Sequence, residues 1–206
     1  MAAETSVRCM SSAKTGVSVM TKPPTIRKAA YVYGHTLVFR NAAERDAGYI
    51  HSLRSQGDRA RFLSPTPSDP CHQLAWLTRY AEDEGQAYFV ITTAQDFRPV
   101  GTVRLYGARG RAFSWGSWIL EAGSFVHWAI ESALMVYHYA RWLSFTAAYF
   151  EVMQANQTVW RFHERFGARR VGAERGHFQY ELGEQHMLAS LKKYGRYLPN
   201  CIRVEA

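Results

Sequence analysis

Cysteine is scarce in these 206 residues: Cys9, Cys71 and Cys201 stand far apart, with no CxxC pair and no histidine at metal-ligand spacing. A disulfide framework is excluded and no metal site is expected, so the reducing cytoplasm is the expected compartment. Long apolar runs are missing as well. The most apolar region, residues 125–150, is interrupted by His127, Glu131, His138 and Arg141, which marks buried core and no membrane span. The first residues lack the unbroken apolar centre of a secretory signal, though their Ser, Thr and basic residues bear a slight likeness to a transit peptide. No internal repeat is present. Acidic residues are the minority, 17 against 25 Lys and Arg, giving a net charge of +8. A basic balance raises nucleic-acid binding as a possibility. The cations, however, are scattered or lie near the N-terminus, and no aromatic-plus-basic motif accompanies them, so no nucleic-acid partner is expected.

What is present suits a folded globular protein. Hydrophobic residues make up 47% and aromatics 14%, enough for one domain with a sizeable core. Half of the net charge falls in the first 35 residues, where Arg8, Lys14, Lys22, Arg27 and Lys28 face Glu4 alone. Residues 1–34 therefore read as a flexible basic tail and residues 35–206 as a single domain. Residues 31–40 give a strand-like run, and a helix follows with Ala43, Ala47, Ile50 and Leu53 on one face. After an Arg-rich loop at 55–68, a second helix begins at Asp69, with Pro70 in its first turn where a missing N–H does no harm. Strands at 87–93, 99–106 and 111–120 form an antiparallel meander. Then come a helix over 126–143, a strand at 145–153, a helix at 157–166, a hairpin from 168 to 182 and a terminal helix around 184–197.

The junction of the last strand and helix is the most informative local pattern. Asn156 ends the strand at the N-cap position of the following helix. That helix runs out in Arg161-Phe-His-Glu-Arg-Phe-Gly167, with Gly167 where a left-handed C-terminal cap is wanted. A strand that stops at Asn, followed by a helix ending Phe-Gly, resembles the C-terminal signature of the GCN5-related N-acetyltransferases. The element order matches that family as well, over residues 35–183 and most closely from residue 87 onward. The resemblance implies an α+β fold: a central mixed, mostly antiparallel sheet whose fourth and fifth strands splay apart, with flanking helices. It also implies direct acetyl transfer from acetyl-coenzyme A to a primary amine, assisted by a general base and a general acid.

Several residues acquire expected roles from that resemblance. The pantetheine arm of the donor would lie between residues 113–120 and 147–153. Gly116 favours a bulge or close backbone approach there, or else relieves crowding between Trp115 and Trp118. Backbone N–H groups at Trp118, Ile119 and Leu120 are placed to polarise the thioester carbonyl. The pyrophosphate would meet the next helix N-terminus, at Gly123, Ser124, Phe125, Val126 and His127. This segment departs from the family's Gln/Arg-x-x-Gly-x-Gly/Ala loop, having one glycine and no arginine. Glu151 sits on a strand apolar on both parities, so it reads as buried, with a raised pKa suited to a base. In the related protein N-terminal acetyltransferases, a Glu five residues before the strand-end Asn is linked to amine deprotonation. The other reading of Glu151 is a hydrogen-bonded structural carboxylate. His163, seven residues beyond Asn156, replaces a tyrosine that protonates the departing thiolate in many members. Histidine can donate near neutral pH, or it packs beside Val159, Phe162 and Phe166. Asn156 would cap its helix and also bond the pantetheine amides.

The phrases at 99–106, 113–120 and 161–167 are similar to bacterial members associated with surface-polysaccharide synthesis, which implies a nucleotide-linked amino sugar as acceptor. Arg54, Arg59 and Arg61 suit a diphosphate, because the guanidinium fork bonds two oxygens at once. Trp115 is expected beside them in the acceptor site. The partners expected are thus acetyl-coenzyme A and a small-molecule amine, with no nucleic acid and no membrane, in a monomer or homodimer. A protein N-terminal or lysine acetyltransferase, and a non-catalytic interaction module on the same fold, are the alternatives.

Overall fold

The computed structural model describes residues 22–55, 60–63 and 67–206. The first half contains β1 (Tyr31–Tyr33), β2 (Leu37–Asn41), α1 (Ala47–Ser55), α2 (Cys71–Glu82), β3 (Ala87–Thr93), β4 (Pro99–Arg109) and β5 (Ala112–Leu120). The second half contains α3 (Val126–Trp142), β6 (Ala147–Met153), α4 (Gln157–Arg165), β7 (Arg169–Glu174), β8 (His177–Leu182), α5 (Glu184–Lys193) and β9 (Arg203–Glu205). Among the described residues, nine strands join one sheet in the order β7-β8-β6-β5-β4-β3-β2-β1-β9. Neighbours are antiparallel except β5 and β6, which run parallel. The mixed, mostly antiparallel α+β architecture expected from the sequence is the one that forms.

Strand alternation sorts the side chains into two layers. Phe89, Val103, Leu105, Trp115 and Phe150 lie on the face covered by α3 and α5, where Ala133, Met135, Val136 and Tyr137 are wholly buried. Tyr88 and Val90 lie on the other face, beneath Ile50 of α1 and Leu77 and Tyr80 of α2. Helix α3 is buried on several sides, with Leu134, Tyr139 and Ala140 buried as well. Among the described residues, no helix is long and apolar enough to cross a membrane.

Local differences from the sequence reading have local causes. The run at 31–40 is broken by a turn at Gly34, whose N–H donates to the Leu37 carbonyl (2.9 Å). The buried Glu131 carboxylate accepts the N–H groups of His35, Thr36 and Leu37 and the Thr36 hydroxyl, so the polar groups of this turn are paired inside the protein. A Cβ at Gly34 would come within 2.8 Å of Glu131 Oε1, which accounts for the glycine. Helix α2 starts at Cys71, with Pro70 as its cap residue and Asp69 Oδ1 accepting the Cys71 N–H (2.8 Å). β9, only three residues long, was not foreseen; it pairs with β1, and Tyr33 Oη donates to Glu205 (3.1 Å).

Residues 22–34, assigned on composition to the basic tail, are held to the domain. Ile26 and Ala29 are buried, Tyr139 Oη donates to the Arg27 carbonyl (2.6 Å), and Lys28 Nζ donates to the Tyr80 and Ala81 carbonyls. Apolar residues within a basic stretch thus outweigh its composition. Residues 1–21 lie outside the described residues.

Candidate active site

The sheet parts between β5 and β6. Only three positions pair: Ala112 with Ala147, Phe113 with Ala148 and Ser114 with Tyr149. Beyond them β5 continues along β4 and β6 along β8, and no ladder joins the two. A bulge in β5 accompanies the parting. Gly116 lies opposite Arg104 and Ile119 opposite Thr102, so β5 carries one extra residue over this stretch. Ser117 takes the left-handed conformation there (φ 47°), and its carbonyl accepts the Thr102 hydroxyl (2.8 Å). The bulge expected at Gly116 therefore turns on Ser117. Gly116 instead leaves room for a side chain, since a Cβ would sit 3.2 Å from Tyr106 Oη.

An aromatic cluster fills the core side of the parting. The His163 ring lies 4.3 Å from Phe150, 5.2 Å from Trp115, 5.7 Å from Phe162 and 5.8 Å from Trp118, centroid to centroid. His163 is 4% exposed and its Nδ1 has no hydrogen-bond partner among the described residues. Burial in this apolar setting pushes its pKa down to about 3. The ring is therefore neutral at neutral pH, which does not fit the proton donor expected from sequence. Trp115, expected in the acceptor site, is 4% exposed in the same cluster. Its indole fills the core because Phe113, Trp115 and the α3 residues share one face.

Two helix ends flank the parting. Asn156 is the N-cap residue of α4 but makes no side-chain capping bond, so its amide is not committed to the helix. At the other end Gly167 is left-handed (φ 85°), its N–H donating to Glu164 and that of Ala168 to the His163 carbonyl. This pair of bonds is a Schellman cap, as the Phe-Gly ending foretold. Across the parting, α3 begins after Phe125, which offers no side-chain cap. Its first-turn N–H groups thus lack a side-chain acceptor, and the helix dipole favours an anion beside them. The loop ahead of it is open: Gly123 is left-handed (φ 79°) with nothing near its Cβ direction, and Phe125 and Val126 are 61% and 80% exposed. The Ser124 hydroxyl is buried without a partner, and the His127 ring stacks on Phe125 (5.3 Å). Trp118 points away, its Nε1 donating to Ser132 Oγ (3.1 Å). Ile119 is buried and Leu120 half-buried, their backbones paired with β4 on one side and bordering the parting on the other. An orphaned hydroxyl, an uncapped helix start and an unpaired strand edge together suit an extended, phosphate-bearing donor.

Two cavities border the opposite face of the sheet, one lined by Arg104 of β4 and the other by Tyr106, two residues further along the same strand. The first, about 390 Å³, has Ser117 of the bulge in its wall, together with Arg54, Arg79, Arg104, His51 and His72. Among its described lining residues there is no carboxylate. The second, about 860 Å³, is bordered by Tyr106, Ser114, Tyr149, Gln179 and Glu151. Glu151, expected to be buried, is exposed. Alternation turns Phe150 and Val152 to the core and leaves Glu151 on the face that no helix covers, cross-strand from Gln179. Of the three arginines expected around the acceptor, Arg54 lines the first cavity. Arg61 is exposed over the Phe62 ring and does not line it, and Arg59 lies outside the described residues. Sequence reasoning missed Arg104, Arg79 and Trp76. A signal for Arg104 was available: an arginine between Val103 and Leu105 on an apolar central strand needs a reason to be there.

The sequence pattern described as the acetyltransferase (GNAT) domain matches residues 36–169, and the chain belongs to that family. It is an N-acetyltransferase, and the family implies acetyl-coenzyme A as donor. Apo FdhC, described as a nucleotide-linked sugar GNAT, is 31% identical, with a TM-score of 0.72 over 82% of this chain and 98% of FdhC. A probable GNAT-family acetyltransferase from Chromobacterium violaceum is 14% identical, with a TM-score of 0.72 over 85% of this chain and 96% of its own. A GCN5-related N-acetyltransferase from Brucella melitensis is 16% identical, with a TM-score of 0.70 over 86% and 90%. These last two share the fold. No curated protein sequence matches the chain.

Proposed function

We propose that the protein transfers an acetyl group from acetyl-coenzyme A to the primary amine of a nucleotide-linked amino sugar. The observation that carries the reading is the placement of the β5 bulge: Ser117, just past the parting, is also part of the wall of a cationic cavity without a described carboxylate. An acceptor entering there meets cations first, so it is an amine that also carries negative charge. A lysine side chain or a polyamine meets like charge instead. The likeness to FdhC, a nucleotide-linked sugar GNAT, supports the same acceptor class.

In this reading the donor's phosphates lie at Gly123, Ser124 and the start of α3, and its arm runs between β5 and β6 beside the Asn156 amide. The donor supplies an activated thioester. The acceptor nitrogen bonds the acetyl carbon as the C–S bond breaks, the sulfur departs as the coenzyme A thiolate and takes a proton from water, and the nitrogen gives up a proton. Glu151, on the acceptor face, takes that proton, directly or through water. The surrounding arginines also favour the neutral amine, because nearby positive charge lowers an ammonium pKa. Acetylation assays with acetyl-coenzyme A across nucleotide-linked amino sugars, N-terminal peptides, lysine peptides and polyamines test the proposal. Transfer to at least one nucleotide-linked amino sugar and none to the peptides is expected; the reverse preference would overturn it.

A further inference from the structure

We infer that Arg104 is the anchor for the acceptor's diphosphate and that it makes the first cavity a diphosphate site whatever sugar is attached; this rests on the acceptor reading above. Arg104 lies in the middle of β4, where alternation turns it away from the buried Val103 and Leu105 and toward α1 and α2. Its guanidinium carbon is 5.0 Å from the ring centroids of both Trp76 and Tyr106, so two aromatic faces fix its position. Trp76 is in turn stacked on Tyr80 at 5.5 Å, with 8° between the rings. The cation is thus packed between two aromatic rings, one of them stacked on a third.

What the stack does not supply is a counter-charge. Arg104 Nε is buried without a hydrogen-bond partner, and no carboxylate forms an ion pair with Arg104 among the described residues. Asp83 reaches it only through space, and that carboxylate accepts the Gln86 amide. Burial accordingly pulls the guanidinium pKa down. A partly desolvated cation without an ion pair is costly to a fold, and an anion brought by a ligand offsets the cost. Arg79 and Arg54 flank the same cavity, with Arg54 beside the Tyr88 hydroxyl. Three guanidinium groups around one cavity suit two linked phosphates better than one, since each fork takes two oxygens. The cavity is also within the span of about 300–1,000 Å³ usual for small-ligand sites.

Both substrates in the proposed reaction carry a diphosphate, so the test must tell the two sources apart. Inorganic pyrophosphate and uridine diphosphate are titrated calorimetrically into the intact protein, its Arg104→Gln variant and its Arg104→Lys variant. Acetyl-coenzyme A thermal shifts on all three report that each is folded and binds donor. Expected are binding to the native chain, affinity about 10- to 100-fold weaker in Arg104→Gln, and partial recovery in Arg104→Lys, which keeps charge but loses the fork. Inhibition by uridine diphosphate should compete with the acceptor and not with acetyl-coenzyme A. Equal affinity in the native and Arg104→Gln proteins, or competition with acetyl-coenzyme A, would overturn the inference. Arg104-dependent pyrophosphate binding without acetylation of any nucleotide-linked amino sugar would keep the anion site and reject the acceptor reading alone.

Discussion

The two sides of β5 solve opposite electrostatic problems. On the core side, the parting from β6 is filled by Trp115, Trp118, Phe150, Phe162 and His163, and burial keeps the histidine neutral. On the far side, Ser117 shares a cavity wall with three arginines and two histidines, and no carboxylate is among the described lining residues. The apolar side protects a chemical environment by excluding charge. In the proposed function, the cationic side recruits charge from a ligand. A strand one residue out of register with β4 is what brings the two within reach of each other. Substitutions on each side should therefore fail in different ways.

The largest effect is expected at Glu151, which belongs to neither side. Glu151 is exposed in the second cavity, next to the end of the β5–β6 pairing. Glu151→Gln keeps the shape and removes the proton acceptor, so kcat should fall by about 10²–10⁴-fold with the acetyl-coenzyme A KM little changed. Because the carboxylate is exposed, melting temperature should hardly move. Retention of kcat would assign deprotonation to the arginine-rich pocket itself, which would deliver the amine already neutral.

How much of this was legible beforehand depended on the kind of signal. Alternation and turns placed the 87–93, 99–106 and 111–120 strands closely, and the Asn156 to Gly167 pattern placed α4 and its Schellman cap, because these are local rules. Burial of Glu151 was misjudged, because apolar residues on both parities suggest a covered strand. The structure leaves the Tyr149, Glu151 and Met153 face without a helix above it. That is a fact of tertiary layering with no counterpart in the strand's own composition. His163 lay at the right spacing for a catalytic role, but spacing carries no information about the four aromatic rings that surround it. Arg104 was missed for the converse reason. Its partners Trp76 and Tyr106 come from α2 and from its own strand, and only folding brings all three together.

The apolar side can be tested by charge. A His163 pKa held near 3 while the unfolded chain titrates near 6.5 makes the unfolded state the stronger proton binder at acid pH. Its stabilising contribution is complete above about pH 6.5 and is lost as pH falls toward 3. Between pH 7 and 5 the loss amounts to about 2 kcal/mol. His163→Phe should fold with a flatter pH dependence of urea stability. Some slope should remain from His138, whose pKa burial also lowers. If the variant keeps the full slope, the ring is not neutral in the native state. Turnover per folded molecule at pH 7 should persist, since a neutral imidazole is not the proton donor.

The smallest effect expected is also the one with two opposite signs. Ser124 stands just before the uncapped start of α3, and its Oγ is buried with no partner. An unmade hydrogen bond of this kind costs the protein about 1 kcal/mol or more, so Ser124→Ala should leave the unliganded protein as stable or slightly more so. If the hydroxyl is instead reserved for the donor's phosphates, the same change should weaken acetyl-coenzyme A binding by roughly three- to tenfold, about one neutral hydrogen bond. The measurement is a pair of melting curves for native and variant protein, each with and without acetyl-coenzyme A. A higher melting point without donor and a smaller donor-induced shift mark a hydroxyl that serves the ligand. A lower melting point with an unchanged shift would show that Ser124 supports the loop and takes no part in holding phosphate, leaving that task to the helix N–H groups.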